Sequence, residues 1–93
     1  LKVGFSPTAE EDLTSLQDYI AEHSGFERAS NYTKRIQDYC LDLALSPGIG
    51  TLRDDLRPGL RTVGFERRLV IAFYVTAETI FIDRILYGGR ELD

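Results

Sequence analysis

The chain is short of the residues that hold metals and cofactors, with one cysteine, Cys40, and one histidine, His23. A lone thiol excludes a disulfide framework, and two scattered soft donors are too few for a Cys/His zinc site, so no structural metal and no cofactor are expected. Long apolar runs are lacking too: around Leu69 to Val75 the run reaches about seven residues, where a membrane span needs about twenty. A soluble protein that makes no membrane contact is expected. The start, Leu1-Lys2 leading into a polar segment, lacks the apolar stretch of a signal peptide, which points to the cytoplasm. Basic surplus is also absent. Eleven basic against fifteen acidic residues give a net charge of -4, which disfavours strong direct binding to nucleic acid.

What remains has the composition of one folded domain: 93 residues, 43% hydrophobic and 28% charged. At this size folding buries only about two thirds of the chain's surface, so modest stability and dependence on a partner are expected. The acid is concentrated early. Residues 1–46 carry four basic and eight acidic groups, and residues 47–93 carry seven of each. Arginine supplies nine of the eleven basic residues, and Arg53, Arg57, Arg61, Arg67 and Arg68 cluster in the second half. Arginine's planar fork suits carboxylate, phosphate or aromatic partners, although ordinary solvation accounts for such a cluster equally well.

Residues 2–5, KVGF, read as a strand, and Ser6-Pro7 supplies an N-cap followed by proline at the first helical position. Ala9, Leu13, Leu16 and Ile20 recur at helical spacing behind an acidic first turn, which predicts a helix to about Glu22. Ser24 and Glu27 match a capping box, so a second helix starts almost at once and the two form a hairpin. Its apolar stripe is Ala29, Tyr32, Thr33, Ile36, Cys40 and Leu43, with Tyr39 beside it, and Pro47 forces its end near Leu45. The segment SPGIGTLRDDLRPG, residues 46–59, reads as a long loop. Three β-like runs follow, Leu60 to Phe65, Arg68 to Val75 and Thr79 to Leu86, with the middle one apolar on both faces and therefore central. In the last run strict alternation sets Ile80, Ile82, Arg84 and Leu86 against Phe81, Asp83, Ile85 and Tyr87, without saying which face is inward. The expected fold is α+β, in the order β-α-α-β-β-β, a helical hairpin on a largely antiparallel four-stranded sheet forming one domain over residues 1–93.

Catalytic patterns are scarce. Cys40 lies on the apolar stripe without a companion histidine and reads as a small buried residue, and His23 sits alone at a helix end. Gly48-Ile49-Gly50 lacks the lysine and helix start of a phosphate loop, and the neighbours Asp54 and Asp55 have no partner carboxylate set by spacing. The distinctive chemistry is the arginine set Arg53, Arg57, Arg61, Arg68, Arg84 and Arg90, with Tyr87 at the end of the last strand, which suits a polyanion or an acidic peptide.

The element order, the helix AEEDLTSLQDYIAEHSG, the P-G-x-G loop, the PGLR turn, the R-R-x-V-I-x-F-Y strand and the R-I-L-x-G-x-R ending together resemble toxins of the RelE/ParE superfamily, nearer the ParE branch. The resemblance covers nearly the whole chain. It implies a bacterial type II toxin-antitoxin module in which a partly disordered, ParD-like antitoxin encoded beside the toxin holds it inactive, as a dimer of heterodimers. ParE-like members poison DNA gyrase, and RelE-like members are ribosome-dependent endoribonucleases. For the nuclease branch the corresponding positions are Arg53, Arg61, Arg68, Arg84 and Tyr87. This chain departs from that branch, where histidine is common in place of Tyr87, the overall charge is basic, and the loop adds a lysine or glutamate. RNA cleavage also needs a general base, and only cations are evident here. The reading therefore leans to a non-enzymatic gyrase inhibitor, with the ribonuclease, or a toxin that only binds antitoxin, as alternatives. An antitoxin lays an amphipathic helix on a groove and adds a strand to a sheet edge. Groove candidates are Leu13, Leu16, Tyr19 and Ile20 on the first helix and Tyr32, Ile36 and Tyr39 on the second, some of which must fill the core. Arg57, Arg61 and Arg68 are the candidates for pairing with its acidic side chains.

Overall fold

The computed structural model describes residues 1–88. Its elements are β1 (Lys2–Phe5), α1 (Pro7–Ser24), α2 (Phe26–Leu43), β2 (Thr51–Leu52), β3 (Arg61–Phe65), β4 (Leu69–Val75) and β5 (Thr79–Tyr87). The sheet order is β1-β5-β4-β3-β2. β1 runs parallel to β5, and the remaining pairings are antiparallel. The α+β class and the helical hairpin are as expected, but the sheet has five strands rather than four. The extra strand lies inside the predicted loop, where Thr51 and Leu52 pair with Thr62 and Arg61. Gly50 makes this approach possible, since its φ is 85° and a Cβ there would sit 2.5 Å from the Thr62 carbonyl oxygen. Two paired residues are too short to show a period-2 pattern in sequence.

Ser6 caps α1 by accepting the Ala9 N–H at 2.9 Å, with Pro7 at the first helical position. The Ser6 hydroxyl also donates to the Asp83 carbonyl at 2.7 Å, tying the start of α1 to β5. Between the helices the expected capping box does not form. Ser24 completes α1, and Gly25, at φ 92°, is both the end of α1 and the N-cap of α2, with no side-chain cap. A sharp reversal needs the positive φ that glycine tolerates, and this overrides the Ser24–Glu27 pattern. α2 stops at Leu43, two residues before the expected end.

The predicted stripe of α2 is the buried one, namely Ala29, Tyr32, Thr33, Ile36, Cys40 and Leu43. It meets Ala9, Leu13 and Leu16 of α1 and, from the sheet, Leu69, Ile71, Phe73, Ile80, Ile82 and Ile85. β4 is central and apolar on both faces, as its sequence implies. β5 breaks its own alternation. Phe73 pairs with Ile82 but Ala72 pairs with Arg84, leaving Asp83 as the extra residue of a bulge. Ile80, Ile82 and Ile85 therefore all join the core, although Ile85 falls on the other face by strict alternation. Beyond the last β1 pairing, Phe5 with Ile82, the outer edge of β5 is closed by a side chain of α1. Asp12 accepts the Ile85 N–H at 2.9 Å and two bonds from Arg84, at 2.9 and 3.2 Å.

Candidate functional site

At the connected end of the helical hairpin, beside the Gly25 reversal, a groove of about 640 Å³ lies between the helices and the β3–β4 turn. α1 contributes Tyr19, Ile20, His23 and Ser24 from its last turns, and α2 contributes Arg28, Asn31, Tyr32 and Arg35. Glu66 and Arg68 come from the β3–β4 turn, and Tyr87 from the end of β5. The α2 residues recur at spacings of three and four, so one helix face both lines the groove and borders the core stripe.

Aromatic rings form the apolar part of this surface. Tyr19 stacks on His23 with centroids 4.3 Å apart and lies 6.2 Å from Tyr87, whose ring meets Tyr32 edge-on at 6.5 Å. His23 Nδ1 is 2.8 Å from the Tyr19 carbonyl oxygen. A carbonyl only accepts, so Nδ1 carries the proton and a neutral ring leaves Nε2 as an acceptor. The rim is ionic. Arg35 makes two bonds of 2.9 Å to Glu66, joining α2 to the turn, and its guanidinium lies 5.0 Å from the centre of the Tyr32 ring. This pair holds the Glu66 carboxyl below its ordinary range and raises the Arg35 guanidinium further above its own. Burial, reinforced by the Glu66 charge, raises the Tyr32 phenol. Glu66 and Arg67, with φ of 49° and 60°, adopt the left-handed conformation that glycine or asparagine usually takes in such a tight hairpin.

The other sequence candidates disperse. Of the nuclease set, only Arg68 and Tyr87 share the groove. Arg53 is bound to Asp55 by bonds of 2.9 and 2.8 Å, and Arg84 is bound to Asp12. Arg61 donates to the Gly48 carbonyl at 3.3 Å from the start of β3, while Arg68 follows the end of that strand. Five strand residues set these two roughly 15 Å apart along the sheet. Arg57 reaches the opposite face of the sheet, where it bonds to the Tyr74 hydroxyl and, at 3.0 Å, to Asp83. Arg90 lies outside the described residues. Among the groove candidates, Leu13, Leu16, Tyr32 and Ile36 are at most 8% exposed and form core. Tyr19 is half exposed, and Ile20 and Tyr39 are partly buried against the core. Burial also pushes the Cys40 thiol up to about 12, which suits its structural position.

Sequence reasoning missed Arg28, Asn31, Arg35 and Glu66 and set His23 aside. The helical spacing of Arg28, Asn31 and Arg35 was a usable signal, whereas the pairing of Arg35 with Glu66 spans 31 residues and has no local signature. Among the described residues no cluster of three His, Cys, Asp or Glu side chains is placed to hold a metal ion, and no helix is long and apolar enough to cross a membrane.

Residues 3–92 match the family described as ParE toxin of type II toxin-antitoxin system, parDE. Toxin ParE3 of Caulobacter vibrioides is 35% identical over 81 residues, covering 87% of this chain and 80% of that protein. Toxin ParE1 of Mycobacterium tuberculosis is 29% identical over 89 residues, covering 95% and 90%. Among solved structures, the chromosomal ParDE TA system from P. aeruginosa superposes with a TM-score of 0.82 at 26% identity, covering 96% of this chain and 97% of that one. With the family matched across nearly its whole length and its fold shared with a ParDE structure, this chain belongs to the ParE toxins of type II toxin-antitoxin systems.

Proposed function

We propose that this toxin arrests growth by poisoning DNA gyrase through a protein contact that stabilises the enzyme's broken-DNA intermediate, and that a ParD-like antitoxin neutralises it. The dispersal of the arginines carries this choice over RNA cleavage. Attack by a ribose 2'-hydroxyl needs a base, an acid and phosphate-binding cations within hydrogen-bond reach of one point. Here Arg53 and Arg84 are engaged with carboxylates, and Arg61 lies at the far end of β3 from Arg68 and Tyr87. The net charge of -4 adds repulsion against a phosphate-lined ribosomal site.

Two kinds of surface support antitoxin capture. The groove presents aromatic and cationic side chains beside a helical hairpin, and β1 and β2 are the two edges of the sheet. Ile49, Leu52 and Leu56, all exposed, flank or lie on β2, giving an added strand apolar cover. Expression in a susceptible bacterium, with and without the antitoxin encoded beside the toxin, tests the proposal. Growth arrest with accumulating cleaved DNA, relieved by antitoxin, is the expected result. Arrest with intact DNA and breaks mapped on ribosome-bound mRNA would overturn it in favour of the nuclease.

A further inference from the structure

Tyr32 is 92% buried by exposed area, counting from its 8% exposure, yet its hydroxyl has no hydrogen-bond partner among the described residues. Leaving such a donor unsatisfied destabilises the fold, because its lost hydration is not replaced. The Tyr32 ring lies 6.5 Å from Tyr87 and 5.0 Å from the Arg35 guanidinium, both groove residues, so its enclosed hydroxyl belongs to that end of the molecule. Two of the groove's three arginines, Arg28 and Arg68, make no ion pair among the described residues, while the third is held by Glu66. A protein with net charge -4 thus places two guanidinium groups and a donor, all without an ion-pairing or hydrogen-bonding side-chain partner among the described residues, in one concavity walled by Tyr19, Ile20 and Tyr87. Backbone held in the left-handed region at Glu66 and Arg67 borders the same place, as strained backbone often does at binding sites.

We infer that this groove is a receptor for a single carboxylate side chain of the antitoxin, an aspartate or glutamate in an otherwise apolar stretch. The carboxylate would accept from Arg68 and Arg28 and, once the side chains covering it give way on binding, from the Tyr32 hydroxyl, and the apolar neighbours of that residue would lie on Tyr19, Ile20 and Tyr87. A carboxylate accepts several donors at once, and such charge-assisted bonds are the strong ones. Charge complementarity selects the peptide over an extended nucleic acid. Arg28 and Arg68 can neutralise one or two anionic groups, and the acid of the remaining surface repels a longer polyanion. The inference rests on the antitoxin reading and assigns that partner's anchoring contact.

The test is a double-mutant cycle using the full toxin and the antitoxin encoded beside it, with affinities from calorimetry. Arg68→Gln is expected to weaken the complex 10- to 100-fold. One Asp→Asn or Glu→Gln change in the antitoxin should weaken it comparably, and combining that change with Arg68→Gln should cost little more. Tyr32→Phe separates binding from folding: it should raise the melting temperature of the free toxin, because the orphan hydroxyl is gone, while weakening the complex several-fold. Full additivity of Arg68→Gln with every antitoxin carboxylate would overturn the carboxylate seat while leaving antitoxin capture intact. Tight binding of a single-stranded oligonucleotide that Arg68→Gln abolishes, with antitoxin affinity unchanged, would reassign the groove and also overturn it. Failure of the wild-type pair to bind would overturn the antitoxin reading itself, and this inference with it.

Discussion

At Glu66 two effects of opposite sign meet. A non-glycine residue in the left-handed region costs about 1–2 kcal/mol, and the two-pronged contact with Arg35 offsets part of this. Both side chains are roughly half exposed, at 40% and 52%, so solvent limits the contribution of the pair to less than about 1 kcal/mol. Its pH dependence follows from the direction of the shift. The Glu66 carboxyl titrates below its ordinary value of 4.5 in the folded protein, so on acidification the unfolded chain takes up that proton first. The stabilisation is therefore complete above pH 4.5 and is lost as the pH falls through the depressed folded value. Glu66→Gln should lower the melting temperature by a few degrees at pH 7 and by less at an acid pH below 4.5, as calorimetric scans at the two pH values would show. A deficit of equal size at both would mean that the pair contributes through shape rather than charge.

Among the elements, β5 depends on a side chain from α1. Asp12 closes its free edge through the Ile85 N–H and binds Arg84, and its own side chain is 10% exposed. Asp12→Ala should cost about 2–3 kcal/mol, read from the midpoint of urea unfolding, because it strands a backbone donor and removes a two-bond contact to a partly buried guanidinium. Asp12→Asn, which keeps an acceptor for Ile85, should cost less. At the β3–β4 turn, Arg67→Gly should stabilise the protein by about 0.5–1 kcal/mol by the same measurement, since glycine accepts the φ of 60° without a Cβ penalty. These elements also show where the sequence is legible. The Ser6-Pro7 start, the stripe of α2 and the central place of β4 are local patterns of capping, period 3.6 and two-sided apolarity, and all three appear as read. The bulge at Asp83, the two-residue β2 and the role of Asp12 arise only from contacts across the chain, and strict alternation misassigned Ile85 for that reason.

At the scale of the whole molecule, an acidic toxin fold sets Arg28 and Arg68, which make no ion pair among the described residues, in one groove and ties Arg53, Arg57 and Arg84 to carboxylates elsewhere. The resemblance to the nuclease branch grouped Arg53, Arg61, Arg68, Arg84 and Tyr87 as one constellation. The fold separates them, and Arg84 becomes a brace for β5 rather than a surface cation. The family was legible from the order of elements together with the PGLR and R-R-x-V-I-x-F-Y segments, and residues 3–92 bear it out. The groove was half legible: Tyr19, Ile20, Tyr32, Arg68 and Tyr87 were named, but the α2 arginines were not, since their significance depends on the turn that β3 and β4 bring opposite them. The most direct measurement is supercoiling and DNA cleavage by purified bacterial gyrase, with and without this toxin, and with its antitoxin as the reversing control. The account predicts lost supercoiling with accumulating cleaved DNA, relieved by antitoxin; gyrase that works unchanged beside a toxin that still stops growth would contradict it.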